Sequence, residues 1–283
     1  MTEIMSGKVV ANLIKERSKK RCKKLKEQGI TPKLGFVRVG EKSDSVGYHC
    51  TAKKRAEKIG LETKDFIFDE KMDQEAFEEA FIKINQDPTI HGILLFRPLP
   101  KHFNEEKITF LLNPNKDIDG MNPFNLGKVF TPCPTDFIPC TPVSVMRLLE
   151  HYGISLEGKD VVVVGHSLVV GRPLSMLLSE KNATVTICNI HTKDLKAKTK
   201  EDDIVICAVG KKHMITQDFV KDGVVLIDVG TSYDEQGQVF GDMDFDDLLD
   251  KASYINPVPG GIGAITTAIL IERVIEAASE TKI

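Results

Sequence analysis

Short apolar runs alternate along the chain with longer stretches in which apolar residues recur at three- and four-residue spacing. That is the pattern of buried strands alternating with amphipathic helices. The spacing of Val9, Val10, Leu13, Ile14 and Leu25 predicts a helix over 8–29 that stops at Gly29. Strand patterns follow at 33–39, 66–68 and 91–96, separated by helical patterns at 44–59 and 74–84. The third strand runs into Arg97-Pro98-Leu99-Pro100, which cannot continue a sheet interior because proline donates no N–H. Residues 113–142 break the rhythm with Pro114, Pro123, Pro132, Pro134, Pro139 and Pro142 and mark a domain boundary. A second series then begins: a helix at 141–152, strands at 160–164, 183–187, 203–207 and 224–228, and a last helix at 264–278. Strict alternation of this kind predicts an α/β fold with parallel sheets.

One stretch of the second series carries chemistry. Four consecutive valines, Val161 to Val164, lead into Gly165, and Gly171 with Pro173 opens a helix. This is the strand–turn–helix start of a mononucleotide-binding unit, in which a pyrophosphate rests on free N–H groups at the helix N-terminus. The spacing departs from G-x-G-x-x-G: Ser167 stands at the second glycine position, Val170 at the third, and Gly171 follows one residue later. The signal therefore lies in the flanking strand and helix more than in the glycines themselves.

Composition narrows the classes. With 41% hydrophobic and 28% charged residues and a net charge of −3, the chain reads as an ordinary soluble protein and not as a general nucleic-acid binder. The basic run from Lys15 to Lys26, interleaved with Glu16, Leu25 and Glu27, reads as the wet face of a helix. No apolar run approaches membrane-spanning length and no signal-peptide pattern opens the chain. The six cysteines (Cys22, Cys50, Cys133, Cys140, Cys188 and Cys207) form no C-x-x-C pair. Reduced thiols in a cytoplasm, with no metal site, are the expectation.

The joint order of several short motifs is more specific. They are Val39-Gly40 with Ser45 and Tyr48, Pro98-Leu99-Pro100-Lys101-His102, Lys116-Asp117-Ile118-Asp119-Gly120 and Pro139-Cys140-Thr141-Pro142 in the first half. In the second half they are Gly165-His166-Ser167, Asp228-Val229-Gly230, Gly241-Asp242-Met243-Asp244-Phe245 and Pro257-Val258-Pro259-Gly260-Gly261-Ile262-Gly263. In these the chain resembles, nearly end to end, the FolD family of methylenetetrahydrofolate dehydrogenase/methenyltetrahydrofolate cyclohydrolases.

The resemblance implies a tetrahydrofolate-binding catalytic domain over 1–140 plus 264–283, with the last helix returning to it, and a Rossmann-type NAD(P)-binding domain over 141–263. It implies a folate substrate in the cleft between the domains, and a homodimer. Hydride would pass from methylenetetrahydrofolate to a nicotinamide, and water would then open the methenyl cation to formyltetrahydrofolate. By resemblance, Asp119 reads the pterin, Tyr48 lines the folate site, and Pro259, Gly260 and Gly261 let backbone approach folate and nicotinamide. Gly165, His166, Ser167 and Thr231 would bind the dinucleotide. Ile190 occupies the position beside a 2′-phosphate, where serine or arginine is usual. NADP is the family default, and these departures leave NAD open. Asp117 and Asp242 read as structural turn or cap residues, and Cys140 as packing under a rigid turn.

Two departures touch the chemistry. The family lysine four residues after Tyr48 is Ala52, and the family glutamine at the start of Gln-Leu-Pro-Leu-Pro is Phe96. Lys53 and Lys54 point roughly 140° and 240° around the helix from Tyr48. Arg55 returns to the Tyr48 face, but a guanidinium is effectively never deprotonated. Weak or absent cyclohydrolase activity with persisting dehydrogenation is the expectation. A fully bifunctional enzyme using a substitute residue, and a non-catalytic folate- or nucleotide-binding paralogue, are the alternatives. Arg97 is either a substitute cation or half of an ordinary ion pair.

Overall fold

The computed structural model describes residues 1–131 and 137–280. Pro132, Cys133 and Pro134 lie outside the described residues. The chain divides into two compact units, Leu13–Cys140 with Thr267–Ile283, and Met1–Asn12 with Thr141–Thr266.

The chain opens with strand β1 (Glu3–Ile4) and helix α1 (Gly7–Glu27). The first unit then runs β2 (Lys33–Val39), α2 (Ser43–Ile59), β3 (Glu62–Phe68), α3 (Gln74–Gln86), β4 (Gly92–Leu95), α4 (Glu105–Leu111) and α5 (Pro123–Gly127). Its sheet is parallel in the order β3-β2-β4. β2 is central because Leu34, Phe36 and Val37 are apolar and buried, whereas β3 is a mostly polar edge. That polarity hid the first half of β3 from hydrophobic patterning, which predicted only 66–68. Helix ends follow local chemistry. The Asp73 carboxylate accepts the Ala76 N–H at the start of α3 and Asn104 accepts the Lys107 N–H at the start of α4, each satisfying a donor with no partner inside the helix. Phe77, Phe81, Ile93, Phe103 and Ile108 fill the core between sheet and helices.

The second unit contains α6 (Cys140–His151), β5 (Asp160–Val164), α7 (Gly171–Glu180), β6 (Thr184–Cys188), α8 (Leu195–Thr199), β7 (Ile204–Cys207) and β8 (Val224–Asp228). A hairpin of β9 (Ser232–Tyr233) and β10 (Val239–Phe240), then α9 (Phe245–Leu248), β11 (Ala252–Ile255) and α10 (Ile262–Glu280), complete the chain. Six strands form one sheet in the order β1-β11-β8-β7-β5-β6, and every pairing is parallel. Val162, Val164, Val205, Leu226 and Ile255 are buried in its core.

The division differs from the sequence reading at the first residues. β1 pairs with β11, and the Met5 N–H donates to the Ile255 carbonyl at 2.8 Å, so residues 1–12 group with the second sheet. A two-residue strand leaves no periodicity to read. The basic run on α1 is also more than a wet face. Arg17 pairs with Glu272, and Arg21 with Glu276 at 3.1 Å, both on α10. Among the described residues no helix is long and apolar enough to cross a membrane.

Candidate active site

Asp117 and Asp119 lie two residues apart, and the fold uses them differently. Asp117 is fully buried and accepts the N–H groups of Gly120 (3.1 Å) and Asn122 (2.7 Å) and the Asn125 amide (2.9 Å). Its carboxylate closes the turn. Gly120 has φ 73°, and a Cβ there would stand 2.4 Å from the Phe137 carbonyl oxygen, so only glycine fits. Asp119 is half-buried, and its carboxylate accepts no hydrogen bond among the described residues. Burial and the neighbouring Asp117 charge push it up to about 6, against the pull of Arg273 and Arg97.

Tyr48 projects from α2 into the same field. The residue is 42% exposed. Its hydroxyl end is enclosed and hydrogen-bonds the Thr267 side chain on α10. Enclosure and the Asp119 charge push the phenol up to about 12, so at neutral pH Tyr48 is a hydrogen-bond donor and not a base.

The two departures stand beside this tyrosine. Phe96, 7% exposed, follows β4 and packs its ring 6.0 Å from Tyr48, 5.1 Å from His49 and 6.1 Å from Phe36, centroid to centroid. Ala52 is buried. Two cations near it on α2 are already engaged. Lys53 binds Asp65 at 2.5 Å, and His49 Nε2 shares that carboxylate at 3.0 Å. Arg55 Nη1 donates to Thr267 Oγ1 at 2.9 Å, the same residue that meets Tyr48. Arg97 is half of an ion pair and also faces a cavity. Its Nε lies 3.3 Å from Glu105 Oε1, and the residue lines a small cavity with Asp119, Thr109 and Met121.

Two contributors escaped the sequence reading. Arg273, 3% exposed, donates from Nη1 to the Ile118 carbonyl and to Cys140 Sγ, each at 3.0 Å. It bears on Asp119 from α10. A lone arginine inside the apolar run of the last helix was its signal. Thr267 left none. Cys140 is buried, its thiol donates to the Ile118 carbonyl at 3.1 Å, and burial holds it protonated, which fits packing and not nucleophilic attack.

In the second unit, β5 ends at Gly165, whose φ is 122° and whose added Cβ would lie 2.4 Å from the Ala208 carbonyl oxygen. A Cβ on Gly171 would lie 1.9 Å from the Gly165 carbonyl oxygen. The loop therefore folds back on itself and delivers the start of α7 beside the strand end. Ser167 Oγ accepts the Val170 N–H at 3.2 Å, and the His166 and Ser167 side chains are exposed. Gly171→Ala is expected to abolish measurable dinucleotide binding in a calorimetric titration while leaving folate binding intact. Past β6, Ile190 is 90% exposed, and Asn189 Oδ1 is occupied by the His191 N–H at 2.8 Å. Thr231 is exposed after β8. Pro259 is exposed and Gly260 has φ 111°. Gly261 is buried, and a Cβ there would lie 2.4 Å from Asn256 Nδ2. Its need for glycine is therefore met by packing. A loop bounded by two glycines that opens a helix at the C-terminal end of a parallel strand suits a dinucleotide pyrophosphate.

Residues 5–119 match the family described as tetrahydrofolate dehydrogenase/cyclohydrolase, catalytic domain, and residues 139–282 match its NAD(P)-binding domain. The chain belongs to the FolD family. It is 47% identical over 277 residues to the bifunctional protein FolD of Alkaliphilus oremlandii, covering 98% of this chain and 97% of the relative. With that of Carboxydothermus hydrogenoformans it shares 48% over 279 residues, covering 98% and 97%. The crystal structure of the bifunctional FolD enzyme of Campylobacter jejuni superposes with a TM-score of 0.96 at 38% identity, over 99% of each chain. The Trypanosoma brucei FolD enzyme, crystallised with NADP cofactor and an inhibitor, gives 0.93 at 30% identity over 98% and 97%. The FolD motif positions divide between the units. Tyr48 and Asp119 share the first, and the Gly165 loop, Ile190, Thr231 and the Pro259–Gly261 turn share the second.

Proposed function

We propose that this protein is a methylenetetrahydrofolate dehydrogenase whose hydrolytic half-reaction is suppressed. The dehydrogenase half rests on the family, on bifunctional relatives near half identity, and on the Asp119–Tyr48 pair. The suppressed half rests on one observation: a buried methyl and a buried phenyl, Ala52 and Phe96, stand where the FolD pattern carries an amine and an amide.

When bound, the nicotinamide dinucleotide supplies the hydride acceptor. Gly165, His166 and Ser167 would hold its pyrophosphate side, Ile190 its adenosine ribose and Thr231 its nicotinamide side. Asp119, which meets no protein donor among the described residues, accepts two parallel hydrogen bonds from the pterin amino group and the adjacent ring N–H. Tyr48 donates from its hydroxyl to the substrate. Dehydrogenation needs little more than this orientation, because substrate and dinucleotide contribute the reacting atoms. Hydrolysis needs a group to take a proton from water. Lys53 is engaged by Asp65, Arg55 cannot deprotonate, and Asp119 is committed to the pterin.

Purified protein given methylenetetrahydrofolate with NADP+ or NAD+ is expected to produce reduced dinucleotide, while methenyltetrahydrofolate hydrolysis runs about 10²-fold slower or less. Hydrolysis as fast as dehydrogenation would overturn this reading. Absence of both would point to the non-catalytic paralogue. NADP is the default cofactor. Ile190 and Asn189 place no charge at the ribose, so NAD is admitted as well, and the ratio of kcat/KM for the two dinucleotides measures the preference. The same reading carries a cytoplasmic homodimer.

A further inference from the structure

Three buried polar side chains of the second unit belong to motifs that the reaction does not use. Asp242 is fully buried, and its Oδ2 accepts the N–H groups of Val209 (2.6 Å) and Gly210 (3.2 Å) while Oδ1 accepts that of Lys211 (2.7 Å). Its carboxylate also takes the Cys207 thiol. Asp228, 3% exposed, accepts the N–H groups of Gly230 (3.0 Å) and Asp242 (3.0 Å) on Oδ1 and that of Met243 (2.9 Å) on Oδ2. Asn256, 1% exposed, accepts the Asp228 N–H at 2.8 Å and donates to the Asp228 carbonyl at 2.9 Å.

The two carboxylates interlock. A Cβ on Gly230 would fall 1.9 Å from Asp242 Cγ, and one on Gly241 would fall 2.0 Å from Asp228 Oδ2. Each acid therefore lies against a glycine of the other's motif. This explains two glycines that hold no unusual backbone angle.

The segment that Asp242 grips touches both nucleotide loops. The Ala208 carbonyl oxygen lies 2.4 Å from where a Gly165 Cβ would be, and the Thr231 carbonyl oxygen lies 3.8 Å from a Cβ on Gly210. At the other end, Asn256 Nδ2 lies 2.4 Å from a Cβ on Gly261. A continuous polar path thus runs from the Gly165 loop through residues 208–211, Asp242, Asp228 and Asn256 to the Pro259–Gly261 turn. Buried polar oxygens need hydrogen-bond partners, and backbone N–H groups supply most of them here. The same bonds fix the loops. A loop held by three N–H bonds to one buried acid has little freedom to lose when a ligand arrives.

We propose that Asp242 and Asp228 are positioning residues for the dinucleotide, a paired brace that sets the Gly165 and Thr231 loops at one spacing before the cofactor binds. Neither carboxylate touches the cofactor. They act through the backbone that does.

The test uses the full chain. Asp242→Asn turns an amide N–H toward N–H donors. Gly230→Ala displaces the Asp242 carboxylate while keeping both of its oxygens. Each is expected to raise the dissociation constants for NADP+ and NAD+ in calorimetric titration about tenfold or more. The constant for tetrahydrofolate, which depends on Tyr48 and Asp119, is expected to stay at its wild-type value. A merely structural role would weaken both ligands together or neither. Folded variants that bind both dinucleotides as the wild type does overturn the inference. Hydrogen exchange on the wild-type protein gives a second reading that needs no variant. The amides of residues 209–211, 230, 242 and 243 are expected to exchange as slowly as those of β7 and β8 without ligand, and exchange at exposed-loop rates overturns the inference. Wild-type protein that binds neither dinucleotide overturns the cofactor assignment and the inference together. Wild-type binding with unaffected variants overturns the inference alone.

Discussion

Ala52→Lys combined with Phe96→Gln is expected to raise methenyltetrahydrofolate hydrolysis by about 10²- to 10⁴-fold, with little gain from either change alone. Phe96 is buried against Tyr48, His49 and Phe36. A lone glutamine there forfeits aromatic packing and leaves a buried amide without a partner, the latter costing about 1–3 kcal/mol. A lone lysine at the buried position 52 places an ammonium in an apolar wall, a cost of several kcal/mol that such groups escape by giving up the proton. Together the amide accepts from the amine, and each removes the other's penalty. Decay of methenyl absorbance reads the activity, and thermal unfolding of the singles and the double reads the coupling. The double should be less destabilised than the sum of its parts. An additive pair with no hydrolysis would show that the lost activity does not lie in these two side chains.

Folate affinity is expected to fall as pH drops through about 6, the value to which Asp119 is pushed. Only the ionised carboxylate accepts both pterin hydrogen bonds, so KM for folate rises about tenfold per pH unit below that point. Arg97→Leu removes one of the two cations that hold the value down, so the fall begins at a higher pH. A profile that did not move would show that Arg97 serves only its ion pair with Glu105. Asp119→Asn should cost about 10²-fold or more in kcat/KM at neutral pH. The linkage to stability has the opposite sense. A folded-state value above the ordinary 3.8 means that the native state binds this proton more tightly. Asp119 therefore favours folding at low pH and loses that contribution as pH rises through about 6. Weakened binding in acid is thus separable from acid unfolding, and a thermal scan at each pH separates them.

Apolar periodicity made the larger elements legible. The runs at 33–39 and 160–164 coincide with β2 and β5, because a strand buried on both faces carries little else. What periodicity missed is short or polar: β1, β11, the hairpin of β9 and β10, and the first half of β3, whose side chains face water and leave pairing as the only cause of the strand. The site divides the same way. Asp119 and Tyr48 were readable as candidates because motif context names them, and the departures at 52 and 96 because the motif register says which residues stand there. Of the two readings of Arg97, the structure shows the ion pair with Glu105, and the pH profile above tests the other. Thr267 and the grip of Asp242 on residues 209–211 were invisible, since each joins segments distant in sequence through contacts that residue type alone does not specify.

Lys53 is moored to β3 through Asp65, with His49 on the same carboxylate. The amine next to position 52 is therefore already engaged. Rolling α2 by the ~100° between successive residues would tear Tyr48 from Thr267 and expose the Phe96 cluster. Restoring an amine at 52 and an amide at 96 therefore takes both changes at once, since each alone carries an unpaired buried polar group.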